Sequence, residues 1–193
     1  MRLLWPLPDG IPISRGSDEH LAAGQGEGVD FACWTGTAWL SCAPVQARVV
    51  QVGYDAECGN RLWLQWYDGP SDRIYRVRYC HGHLPAPFGV GALVEPGEEI
   101  GFVGSTGKAT GSHLHLALES WTGNPEDYWE RLRPEDYLGG TVTADERTEA
   151  LALLDLLYGI SRVLASEQTA PDTLASLGEQ GKNAVLRLKE LVQ

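Results

Sequence analysis

The sequence predicts a mainly β, antiparallel domain over residues 1–141, followed by a C-terminal α-helical hairpin over 142–193. Three observations carry this. Short runs of alternating character are separated by Gly/Pro turns, as in Leu62–Tyr67, the loop Asp68-Gly69-Pro70-Ser71-Asp72 and Ile74–Tyr79. The run His113, Leu114, His115, Leu116, Ala117, Leu118 has a strict period of two. Beyond Gly139-Gly140 the apolar spacing changes to that of helices.

In chain order, Trp5-Pro6-Leu7-Pro8 to Gly16 reads as extended chain with turns. Residues 17–28 are polar and contain Gly24, Gly26 and Gly28, which predicts a loop. Val29–Cys33 is strand-like. Residues 34–53 give a strand, a turn and a strand, with Ala47, Val49 and Gln51 alternating against Arg48, Val50 and Val52. Asp55–Gly59 is a turn before the 62–67 and 74–79 hairpin. The return strand ends in Cys80-His81-Gly82-His83-Leu84, and alternation puts His81 and His83 on one face. The aromatic-rich segment Asn124–Leu138 is expected to pack across the sheet. Thr143 and Glu146 then form a capping box, and Leu151, Leu154, Leu157 and Leu164 continue at helical spacing. Thr169-Ala170-Pro171-Asp172 opens a second helix. Such a hairpin must bury its apolar stripe on the β domain, on a second copy or on a partner protein, so 142–193 is a docking or oligomerisation candidate.

Composition excludes some classes. A net charge of −11 disfavours a nucleic-acid partner, because phosphate recognition wants a basic face. The four cysteines, Cys33, Cys42, Cys58 and Cys80, have no Cys-x-x-Cys spacing, and buried free thiols are the default expectation. The first 14 residues lack an uninterrupted apolar stretch, which predicts no Sec signal. No run of about 20 apolar residues predicts a transmembrane helix.

The candidate chemistry lies in Gly101–Glu119. His113 and His115 share a polar face backed by a leucine stripe, an arrangement that offers two nitrogens to one metal ion or reaction centre. The run Ile100-Gly101 … Gly104-Ser105-Thr106-Gly107 … Thr110-Gly111-Ser112-His113-Leu114-His115 resembles the signature of the lysostaphin-like zinc endopeptidases, which cut peptide crosslinks in bacterial peptidoglycan. The resemblance extends from about Trp5 to Leu118. It implies a duplicated-hybrid-motif fold with a groove and zinc at its floor, His115 as a zinc ligand, and His113 beside the metal as a catalytic residue. Glu27-Gly28-Val29-Asp30-Phe31 matches a second family motif and makes Asp30 a zinc ligand, but Gly26 stands where the family carries its first ligand histidine. His83-Leu84 matches a further catalytic histidine, with His81 as the alternative if the strand register differs.

Asp30 and His115 alone fall short of the three protein ligands usual for catalytic zinc. The reading favoured by the sequence is therefore a degenerate domain serving as a structural or cell-wall-binding module. The alternative is an active zinc-dependent peptidoglycan endopeptidase with a substituted third ligand, from His113 at the expense of its catalytic role, from His20, six residues before Gly26, or from an acidic side chain such as Glu27. With no Sec signal expected, a phage particle with tail association, or release by lysis, is the expected setting, and otherwise the cytoplasm.

Overall fold

The computed structural model describes residues 1–8 and 11–139. The helical hairpin expected over 142–193 lies outside the described residues. The strands are β1 (Val29–Ala32), β2 (Ala38–Leu40), β3 (Ala47–Asp55), β4 (Gly59–Asp68), β5 (Arg73–Gly82), β6 (Leu93–Val94), β7 (Glu99–Phe102), β8 (His113–Trp121) and β9 (Glu130–Leu132). A short helix α1 (Ser17–Ala22) precedes β1, and a single 3-10 turn at Pro134–Asp136 follows β9. None of the helices among the described residues is long and apolar enough to cross a membrane.

The main sheet is antiparallel, with strands in the order β1-β8-β5-β4-β3-β6. β9 pairs with β8 along the same edge as β1, further along the strand. β2 and β7 form a separate two-stranded ribbon. The segment expected to lie across the sheet thus joins it edge to edge, through Leu118–Leu132, Glu119–Arg131 and Ser120–Glu130.

β8 is central because each of its faces is chemically uniform. Leu114, Leu116 and Leu118 point into the core and are essentially inaccessible. They meet Val77 and Tyr79 of β5, Leu62 and Leu64 of β4, and Val29 and Phe31 of β1. A one-residue slip would turn the leucines to solvent and the imidazoles inward, so the leucine stripe fixes the register that presents the histidines. Tyr79 closes the core on the ribbon side. Its hydroxyl donates to Leu40 O at 2.9 Å and accepts from the Cys42 N–H at 2.8 Å.

Two expectations change here. Residues 17–22 are helical, not loop. A six-residue helix does not stand alone, and this one is held by groups far away in sequence. The Ser17 N–H donates to Glu135 Oε1 at 3.0 Å and the Ser17 hydroxyl to Oε2 at 2.7 Å. Arg133 grips both carboxylate oxygens of Asp18, at 3.0 and 3.1 Å. Glu19 accepts the Gly16 N–H at 2.9 Å, and acids in the first turn suit the helix dipole. The second change concerns the thiols. Cys58 and Cys80 are joined by a disulfide linking the turn before β4 to the end of β5, while Cys33 and Cys42 are free.

Candidate metal centre and catalytic cleft

The polar face of β8 forms one wall of a cleft of about 430 Å³. Antiparallel pairing sets Asp30 directly opposite His115, and Ala32 opposite His113. His115 Nδ1–H donates to Asp30 Oδ1 at 2.8 Å. Gly28 makes this arrangement possible, because a β-carbon there would fall 2.6 Å from His115 Cε1. The two ligands read from the sequence are therefore adjacent.

The third donor comes from α1. His20 is 3% exposed, its Nε2 lies 3.1 Å from Asp30 Oδ2, and its ring centre is 4.9 Å from that of His115. One donor atom from each of His20, Asp30 and His115 falls within 4.8 Å of the others. Apart from this close approach to the Asp30 carboxylate, neither buried His20 ring nitrogen has a hydrogen-bond partner. An unpaired buried polar atom is costly, by about 1–3 kcal/mol. Two imidazoles and a carboxylate around one point, with an orphaned nitrogen aimed at it, fit a divalent metal of the zinc type.

Gly26 does not take part. It has φ = +80°, and a β-carbon there would sit 2.0 Å from Arg131 Nη1. The space beside Gly26 is held by the Arg131 guanidinium. A third candidate donor, His20 of α1, stands ten residues ahead of Asp30.

The structure places the three candidate catalytic histidines differently. His113 lines the cleft, as expected, with Nε2 3.8 Å from Asp30 Oδ1. His83, the favoured partner, is exposed and outside the cleft. His81 is in the cleft, 7% exposed, with its ring centre 4.6 Å from that of His113. The reason is backbone conformation. Cys80 faces the same side as His115, so simple alternation would send His81 to the other side. His81 instead adopts φ = +68°, which breaks the period of two and turns its ring back over the cleft. Its N–H is tied to Cys58 O at 2.7 Å, next to the disulfide.

Both cleft histidines have a defined tautomer. His81 Nδ1 is 2.8 Å from Thr106 O, and His113 Nδ1 is 2.9 Å from Gly111 O. Carbonyls only accept, so each Nδ1 carries the proton and each Nε2 is left as an acceptor. Burial lowers the pKa of His81, reinforced by His113 and His115 and opposed by the Thr106 carbonyl. Burial likewise lowers that of His20, against the pull of Asp30. For Asp30 burial acts upward, but His115, His20 and His113 outweigh it and hold the carboxyl below its ordinary value. These shifts favour the neutral ring at His20 and His81 and the ionised carboxylate at Asp30, and metal binding requires neutral imidazole and ionised carboxylate ligands.

An antiparallel sheet presenting a His/Asp/His triad and two further imidazoles in one cleft defines a metallopeptidase-like protein. Residues 24–127 match Peptidase family M23, and the chain belongs to that family. It is 32% identical over 140 residues to the DD-carboxypeptidase/endopeptidase Mpg of Neisseria meningitidis serogroup B and of Neisseria gonorrhoeae. That match covers 69% of this chain, which spans 29% of the length of those relatives. Among solved structures, a peptidase M23 from Pseudomonas aeruginosa superposes with a TM-score of 0.55 at 26% identity, covering 71% of this chain and 50% of that one. Lysostaphin from Staphylococcus simulans gives 0.51 at 25% identity, covering 66% and 49%. A zinc-containing peptidase from Vibrio cholerae shares the fold, with a TM-score of 0.55 at 22% identity, covering 73% and 41%.

Proposed function

We propose that this chain is a zinc-dependent peptidase acting on peptidoglycan peptides, with His20, Asp30 and His115 holding the metal. The observation that carries the reading is the buried, unpartnered His20 ring beside Asp30 and His115. It favours an active site with a substituted ligand over the degenerate module suggested by Gly26. A zinc ion held there supplies Lewis-acid polarisation of a peptide carbonyl and acidifies water. His113 and His81 do the proton work. With Nδ1–H anchored on backbone carbonyls, each Nε2 is placed to accept a proton from an attacking water. Once protonated, the same nitrogen donates to the developing oxyanion or to the leaving amine. The Gly111 and Thr106 carbonyls keep both rings from rotating as their charge changes.

The test is zinc content together with hydrolysis of purified peptidoglycan. About one zinc per chain, with muropeptide release abolished by chelator and by His115→Ala, is expected. Zinc-free protein that does not gain turnover on zinc addition would return the chain to the degenerate reading.

A further inference from the structure

The sheet face that carries His115 continues past the metal centre into a cationic floor. In the β5–β8 register Cys80 lies opposite His115, Arg78 opposite Ala117, and Arg76 opposite Glu119. Residues paired in this way share a face, so Arg78 sits one row from the metal-ligand row, roughly 7 Å along the strands. Ala117 is small and leaves that row open, and Arg78 lines the same cleft as Asp30 and His115.

The charges of this floor do not balance. Glu119, 3% exposed, forms ion pairs with both Arg76 and Arg78, so one carboxylate serves two guanidiniums. Arg131 stands opposite Glu119 on the other side, from β9. The excess is positive in a chain whose net charge is −11. Arg78 is also incompletely used. Its Nε is buried without a hydrogen-bond partner. Its guanidinium lies 4.8 Å from the Trp63 ring centre, which fixes its plane. Burial, then the neighbouring arginines, lower its pKa to about 10, so an added anion relieves this site.

We propose that Arg78 is a specificity-determining residue that binds a carboxylate of the substrate, and that the preferred peptide carries a free carboxylate within one or two residues of the bond cut. This rests on the peptidase reading above. Peptide chain advances about 3.5 Å per residue, so a group one row from the metal meets the first or second residue past the scissile carbonyl. The carboxylate is either a terminal α-carboxylate or an acidic side chain at that position.

The experiment uses the full chain reconstituted with zinc and three synthetic probes: diacetyl-L-lysyl-D-alanyl-D-alanine, its C-terminal amide, and the amide with D-aspartate as the last residue. Wild type should cleave the free acid with a kcat/KM at least tenfold above that of the plain amide. Arg78→Gln should lower the acid by roughly 10–100-fold, the usual worth of a charge-assisted hydrogen bond, and leave the amide within about twofold. Arg78→Lys should recover part of the loss, since it restores charge but not the planar fork. Recovery of turnover by the aspartyl amide identifies a side-chain carboxylate, and its failure identifies the terminal one. Equal rates on acid and amide in wild type, or an equal loss on both in Arg78→Gln, overturn the proposal. If no probe is cleaved, the peptidase reading fails by itself. Calorimetric binding of acid against amide then decides the subsite: a preference removed by Arg78→Gln upholds it, and none overturns it.

Discussion

Replacing His20 by alanine separates a three-ligand site from a two-ligand one. The His20 ring makes no hydrogen bond, and its buried nitrogens have only the close approach of Nε2 to the Asp30 carboxylate. Its removal therefore takes away an unfavourable desolvation of about 1–3 kcal/mol while leaving a cavity at the edge of the core. These effects oppose each other, so without metal the melting temperature should change little. With metal the balance differs. Loss of groups that merely support a ligand weakens metal affinity by about 10–100-fold, so loss of a ligand should weaken it by at least about 100-fold. At free zinc equal to about 100 times the wild-type Kd, binding stabilises the fold by about 2.7 kcal/mol. The same zinc gives the variant about 0.4 kcal/mol. The difference, about 2.3 kcal/mol, corresponds to roughly 5–9 °C for a domain of this size. The assay is a zinc titration followed by differential scanning fluorimetry, with chelated controls. A His20→Ala protein that keeps the wild-type zinc affinity and thermal shift would refute the assignment of His20.

Other substitutions probe the remaining parts. His81→Ala should reduce kcat by about 10²–10⁴-fold, the usual contribution of a proton-transfer group, while His83→Ala stays within a few-fold; the reverse order would restore the original choice of His83. Glu135→Ala should weaken zinc binding although Glu135 touches no metal ligand, because it releases the start of α1; unchanged affinity would show that α1 docks without it. Burial tends to raise the Glu135 pKa, but its own backbone, Ser17 and Arg133 outweigh this and hold it below the ordinary value. Its stabilisation is thus present above about pH 4.5 and is lost as pH falls through the lower folded-state pKa. Urea midpoints measured from pH 6 to pH 3 should fall less steeply in Glu135→Gln than in wild type. Tyr79→Phe leaves the buried Cys42 N–H without its acceptor and should destabilise the domain by about 1–3 kcal/mol in denaturant titrations.

Legibility in the sequence followed the range of the interactions involved. The alternation of β8 states locally which residues face the core and which face the cleft, so His113, His115 and the leucine stripe were readable from six residues. Asp30 was readable through its motif, and its pairing opposite His115 confirms the adjacency. His20 was readable only as one of several possible substitutes, because its position depends on contacts between residues 17–18 and residues 133–135. The local signal for α1 was an acidic first turn, Asp18-Glu19, beside three glycines that argued for a loop. The position of His81 in the cleft was hidden for a different reason. Alternation assumes extended backbone, and a single positive φ at His81 inverts the assignment of side chains to faces. No pattern along the strand announces that inversion, though Gly82 next to it marks a place where the backbone is free to turn.

The helix that carries His20 is fastened by a residue 118 positions further along the chain. On a ribosome, His20, Asp30 and even His115 all emerge before Glu135 does. The metal site therefore cannot reach its final form until nearly the whole domain has been synthesised. On the zinc-peptidase reading, metal capture is a late event, and a truncated product that still contains His20, Asp30 and His115 is not equivalent to the finished protein.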